Sequence, residues 1–246
     1  MKQNIIKQDR RKFIKYTTLG ALVATAGVGV VVSPKIIKAE DRLRPPGAVE
    51  EKKFLSLCIK CGQCLQVCPY HSIFLVDISH GHGVGTPYID ANIRGCWACK
   101  AVPCVLACPS GALDHHTEKA TDINMGIAVL ERKKDCLAVK REPVPAGYDK
   151  KMKNFLKNTN NVTKIELEAL AKFEGYEGKP CTLCADMCPM PNPISCIEVK
   201  ETESGIIRPV IYDQCTGCGV CQEVCPTDEP SIVIKPRLEY KDVYSS

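Results

Sequence analysis

Apolar residues in this chain come in short runs broken by polar, glycine and proline punctuation. Five runs have strand length and β-branched composition: 73–78, 127–130, 194–199, 206–211 and 232–234. One stretch has helical spacing instead. Ile165, Ala169 and Phe173 form an apolar stripe after a Thr163-x-x-Glu166 capping box, and Gly175 follows its end. The run Tyr16 to Val32 is rich in Gly, Ala and Thr and only weakly apolar. Its length of about 16 residues is below the roughly 20 that a stable membrane span needs. The pattern predicts an α+β fold of short elements.

What lies between the strands is cysteine. Of 246 residues 17 are cysteine while aromatics are only 6%. A chain so poor in large core side chains must be held together partly by what the thiols bind. Cys215, Cys218, Cys221 and Cys225-Pro226 are spaced x2, x2, x3. Cys58, Cys61, Cys64 and Cys68-Pro69 repeat this without change. Cys96, Cys99, Cys104 and Cys108-Pro109 repeat it with two extra residues before the third thiol, one of them Pro103. Zinc knuckles usually pair separate C-x2-C units. Three thiols within seven residues instead suit one face of an iron–sulfur cubane, with the fourth commonly serving a neighbouring cluster. Each unit should be a ligand loop, a short helix carrying the third and fourth thiols, and a short strand.

The third unit is irregular. Cys181, Cys184 and Cys188-Pro189 lack a first thiol, and either Cys136 or Cys196 could supply it. The residue just before each strand is Ser72, Ala112, Cys196 or Ser231, so Cys196 occupies a slot that other units fill with a small side chain. Cys136 follows a strand and Asp135, as Cys215 follows a strand and Asp213. The register therefore favours Cys136, with Cys196 as the alternative. Residues 139–180 then become an insertion, either a docking lobe for a redox partner or a cover for the third site.

Charge separates the N-terminus from the rest. The net charge of +5 arises from residues 1–39, whose eight basic residues face only Asp9. The remainder has 25 basic and 27 acidic residues, a balance of −2. That excludes a nucleic-acid-binding surface. Arg10 and Arg11, with Phe13, Ile14 and Lys15, resemble a twin-arginine export signal. Ile37-Lys38-Ala39 is a poor cleavage site because Ile37 is not small, so an uncleaved signal could keep the protein membrane-associated. The five histidines read as solvated loop residues, and Trp97, between two thiols, as a shield against water. No G-x-G-x-x-G fingerprint or nucleophile constellation is present, which points away from an enzyme with its own substrate site.

Taken together, the twin-arginine start, the four units, C-W-A-C-K-A-V-P-C-V-L-A-C-P, the D-C-L-A at 135–138 and C-T-G-C-G at 215–219 resemble the NapG/MauM family of periplasmic ferredoxin-type proteins. The resemblance implies tandem bacterial-type 2[4Fe-4S] ferredoxin-like halves preceded by an N-terminal signal helix. It also implies periplasmic electron transfer without catalysis, and favours Cys136 as a ligand. In that family a membrane-bound iron–sulfur quinol dehydrogenase partner of the NapH type passes electrons towards periplasmic nitrate reductase. A downstream reductase or cytochrome is the acceptor. An alternative is the electron-transfer subunit of another exported molybdoenzyme or respiratory oxidoreductase.

The expected organisation is a signal or anchor at 1–39, a linker at 40–50, a first half at 51–135 and a second at 136–240. The expected quartets are Cys58, Cys61, Cys64 and Cys108; Cys96, Cys99, Cys104 and Cys68; Cys136, Cys181, Cys184 and Cys225; and Cys215, Cys218, Cys221 and Cys188. Pairing of the outer units together and the inner units together is the other arrangement, with the same sixteen ligands.

Overall fold

In the computed structural model of the chain, residues 42–150, 152, 164–172, 174–190 and 196–244 are described. The twin-arginine segment, Thr163 and Phe173 lie outside them. Among the described residues no helix is long and apolar enough to cross a membrane.

In chain order the elements are α1 (Glu51–Leu57), α2 (Gln63–Gln66), β1 (Phe74–Leu75), β2 (Pro87–Tyr88), α3 (Pro103–Leu106), β3 (Gly126–Leu130), α4 (Leu137–Lys140), α5 (Lys164–Ala171), α6 (Leu183–Asp186), β4 (Ile197–Glu201), β5 (Ile207–Ile211), α7 (Val220–Glu223), β6 (Ile232–Pro236) and α8 (Tyr240–Tyr244). Three antiparallel two-stranded sheets result: β1 with β2, β3 with β6, and β4 with β5. β3 and β6 run in register from Gly126↔Pro236 to Leu130↔Ile232. Their buried residues Ile127, Ala128, Ile232 and Ile234 join the core with Leu183, Val220 and Val224.

The same arrangement occurs twice. Before the first thiol of one half, Val49 N donates to Ala112 O at 3.2 Å; before that of the other, Glu131 N donates to Ser231 O at 3.1 Å. In the first half that pairing shrinks to one isolated bridge, Ala48↔Leu113, while Leu43 bridges to Ile89 beside β2.

Several expectations are corrected. The boundary at 135/136 falls too late, because β3 pairs with β6 and so belongs to the second half. Residues 42–46 are buried rather than forming a linker. Arg44 makes an ion pair with Glu51 in which both side chains are under a tenth exposed. It also donates to Thr86 Oγ1 at 3.0 Å and Pro87 O at 2.8 Å, and its guanidinium sits 4.7 Å from the Phe54 ring centroid. The charge and prolines that suggested a linker are thus a satisfied buried network. The run at 73–78 yields only Phe74–Leu75 as strand, since Ile78 turns outward and is 86% exposed. Its partner, Pro87–Tyr88, was not foreseen, because a proline in a two-residue strand carries no strand signal. The short helices carry only the third thiol; the chain has left the helix before the fourth.

Candidate iron–sulfur centres

Each short helix presents one buried thiol: Cys64 on α2, Cys104 on α3, Cys184 on α6 and Cys221 on α7. The loop ahead of it turns sharply. The second residue between the first two thiols is left-handed in three units: Lys60 (φ 58°), Ala98 (φ 46°) and Gly217 (φ 66°). The residue before the helix is left-handed in the same three: Gly62, Val102 and Gly219. Such alternation points successive backbone N–H groups into one concavity, an anion-binding nest suited to iron–sulfur sites.

All seventeen cysteines are free, and the electrostatic neighbours of the buried thiols sort sixteen of them into four groups. Cys64 interacts electrostatically with Cys58, Cys61 and Cys108. Cys104 does so with Cys68 and Cys99, and Cys96 with Cys104, Cys99 and Cys68. Cys184 faces Cys181, Cys136 and Cys225. Cys221 faces Cys218, Cys215 and Cys188. Within each half, then, the first three thiols of one unit meet the fourth of the other. Among the described residues no three His, Cys, Asp or Glu converge tightly enough to hold a single ion. All five histidines are exposed.

Cys196 stands apart from the third group. It is 3% exposed, and its Sγ donates to Gln214 O at 3.0 Å. Ser72, Ala112 and Ser231, its counterparts in the other units, are equally buried. In those units the backbone N–H at this position donates to the fourth thiol: Ser72 N to Cys68 Sγ and Ser231 N to Cys225 Sγ, both at 3.3 Å, and Ala112 N to Cys108. The slot therefore abuts the fourth thiol of its own unit, and Cys196 lies against Cys188. The contact between the two thiols lowers Cys188 and raises Cys196, so the shared site keeps its proton on Cys196.

At Cys108 burial is outweighed by hydrogen bonds from Leu113, Ser110 and Ala112, which lower it, whereas burial raises most other thiols. It pushes Cys64, Cys99 and Cys181 up to about 11 and Cys104 up to about 12. Burial likewise raises Cys96, Cys184, Cys218 and Cys221 well above the ordinary thiol value. Buried thiolates need a cation to offset lost hydration, and iron supplies it. Three further observations fit a cluster. Cys68, Cys96, Cys99 and Cys104 line one cavity with Trp97, Tyr70 and Val102. Trp97 is 9% exposed and stacks on Tyr70 at 5.6 Å along the wall of that cavity. Thr216 Oγ1, between Cys215 and Cys218, is buried with no partner among the described residues, a donor that a sulfur could accept from.

The base of the insertion packs over the third group. Val144 N donates to Lys179 O, and Gly178 N to Val144 O, both at 2.9 Å, which clips its two ends together. Tyr148 is buried, donates to Val224 O at 2.8 Å, and interacts with Cys181 and Cys225. Nothing in the sequence flagged Tyr148, or the buried Arg94–Glu223 ion pair between the two halves.

Comparison with known proteins accords with this geometry. Residues 57–112 match the model of a 4Fe-4S dicluster domain, and residues 208–228 that of a 4Fe-4S binding domain. Over 238 residues the chain is 33% identical to the ferredoxin-type protein NapG of Escherichia coli strain K12, covering 94% of this chain and 87% of the relative. The chain belongs to the NapG/MauM family of ferredoxin-type proteins. Its identity to the methylamine utilization ferredoxin-type protein MauM of Paracoccus denitrificans is nearly as high, 32% over 222 residues, with 89% and 79% covered. The ferredoxin-type protein NapF of E. coli is 26% identical over 190 residues, covering 77% of this chain and 83% of the relative. No solved structure matches. As a member of this family the chain is an iron–sulfur electron-transfer protein. The two domain models include the thiols of units one, two and four but stop short of Cys136, Cys181, Cys184 and Cys188.

Proposed function

We propose that the chain carries four [4Fe-4S] clusters and relays single electrons in the periplasm from a membrane-bound, quinol-oxidising iron–sulfur partner of the NapH type towards periplasmic nitrate reductase. The observation that carries this is the gathering of sixteen free thiols into four groups of four. A bound [4Fe-4S] cluster supplies one-electron chemistry at a potential set by hydrogen bonds to sulfur and by exposure. The ligands of the third site are Cys136, Cys181, Cys184 and Cys225, and Cys196 is not among them.

The chain's own residues hold and shield. Backbone N–H groups at Ser72, Ala112 and Ser231 donate to the fourth thiols. Tyr70 with Trp97, and Tyr148, exclude water from two of the sites. With every site offered four thiols, each iron has a protein ligand and none is left open for a substrate.

The test is iron and acid-labile sulfide on anaerobically purified protein. About sixteen irons per chain are expected, with paramagnetic signals on reduction. Zinc without sulfide overturns the reading. Export is tested separately: Arg10→Lys with Arg11→Lys should strand the protein in the cytoplasm. The near-equal similarity to NapG and MauM supports a second pathway reading, in which the same relay serves methylamine utilization. Deleting the gene and following growth on nitrate and on methylamine separates the two.

A further inference from the structure

The two halves touch where the thiol loop of unit two meets that of unit four. Cys96 N donates to Cys218 O at 2.7 Å, so the first thiol of unit two and the second of unit four share a backbone hydrogen bond. A Cβ on Gly95 would lie 2.6 Å from Gly219 C and Val220 N, where ordinary contact begins at 3.4 Å. Gly95 has no unusual φ, so this approach alone demands glycine there. On the facing side, a Cβ on Gly219 would lie 2.7 Å from Ala91 Cβ.

Polar groups lock the contact. Gly95 N donates to Glu223 Oε2 at 2.8 Å, and Arg94 pairs with Glu223 at 3.4 Å with both side chains 5% exposed. Gly95 O accepts from Ser72 Oγ at 2.6 Å, and Arg94 donates to Tyr70 O at 3.2 Å. Gln222 adds a bridge, donating to Asn92 Oδ1 and accepting from Ile234 N, both at 2.8 Å. The thiol groups are neighbours in series. Cys64 interacts with Cys104, Cys96 with Cys218, and Cys184 with Cys221, which joins the groups in the order one, two, four, three.

We propose that electrons cross between the halves at the contact of Gly95–Cys96 with Cys218–Gly219, and that Gly95, Gly219 and the Arg94–Glu223 pair are positioning residues that keep this step short. The inference rests on the four-cluster reading above. In the step one electron leaves the site of Cys68, Cys96, Cys99 and Cys104, which is oxidised. It arrives at the site of Cys188, Cys215, Cys218 and Cys221, which is reduced. No bond forms or breaks and no proton moves. The electron enters from a one-electron donor at one end of the series and leaves to a one-electron acceptor at the other.

The experiment uses the full, cluster-loaded chain as wild type, Gly95→Ala and Glu223→Gln. Iron and sulfide per chain, magnetic coupling in the fully reduced state, and re-equilibration after flash reduction are measured on each. In Gly95→Ala the backbones must part, so full iron content, loss of one magnetic coupling and a new slow phase between the halves are expected. Wild-type coupling and rate at full iron content would overturn the proposal. If Gly95→Ala fails to load, Glu223→Gln decides: it adds no volume but removes the charge holding Arg94, and the slow phase must still appear. The iron content of the wild type judges the four-cluster reading by itself, so the two failures are distinguishable.

Discussion

Exchanging the two candidate thiols of the third site for serine gives opposite outcomes. Cys136 is 6% exposed and faces Cys181, Cys184 and Cys225. Its replacement leaves three thiols, and iron should fall by about a quarter, from roughly sixteen to roughly twelve per chain. Because binding free energy at such a site is folding free energy, the insertion base at Val144 and Tyr148 should also become open to protease. Cys196 is as buried, but its proton goes to Gln214 O and its sulfur lies beside Cys188. A serine hydroxyl can keep the bond to Gln214, so Cys196→Ser should retain all its iron. Cys196→Ala removes the donor, leaves that carbonyl unpaired at about 1–3 kcal/mol, and should still retain all its iron. The assay is iron and sulfide per chain with urea midpoints alongside. A quarter of the iron lost from Cys196→Ser and none from Cys136→Ser would refute the reasoning.

Glu51→Ala leaves Arg44 buried without its carboxylate and frees Arg237, which donates to Glu51 at 2.8 Å. A loss of about 3–5 kcal/mol is expected, visible as a lower urea midpoint; an unchanged midpoint would count against it. Gly217→Ala and Gly62→Ala are a matched pair. Both have positive φ, but a Cβ on Gly217 would lie 2.4 Å from Gly126 C whereas one on Gly62 meets nothing within 4 Å. Gly62→Ala should cost about 1–2 kcal/mol from backbone conformation alone, and Gly217→Ala clearly more, with iron lost from the fourth site. Equal midpoints would contradict this. The raised thiols set a pH dependence. Since burial lifts Cys64, Cys99 and Cys181 to about 11 and Cys104 to about 12, the metal-free fold keeps these groups protonated. Their contribution is complete below the ordinary thiol pKa of about 8.5 and is lost as pH rises through 11–12. Metal-free protein should therefore unfold more readily above about pH 9. Iron and sulfide uptake releases protons and should become more favourable between about pH 7 and 9; pH-independent uptake would refute this.

The repeating thiol spacing and five of the six strands among the described residues were legible in the sequence, because ligand spacing around a cubane and the alternation of β-branched residues are local properties. The small-residue slot before each strand was legible too: Ser72, Ala112, Cys196 and Ser231 are all 3% exposed or less. What misled was local polarity read without partners. Arg42 and Arg44 looked like linker residues, yet Arg42 donates to the carbonyls of His80 and His82, and Arg44 to Glu51, Thr86 and Pro87.

The sequence by itself determined that this protein builds iron–sulfur units, since three thiols lie within a few residues wherever the unit is regular. Only the tertiary structure decided which fourth thiol joins which three, which of Cys136 and Cys196 faces the third group, and where the halves touch. Those are relations between residues tens of positions apart. They depend on β3 closing against β6 and on two glycine backbones packing together, and neither contact leaves a mark in local spacing.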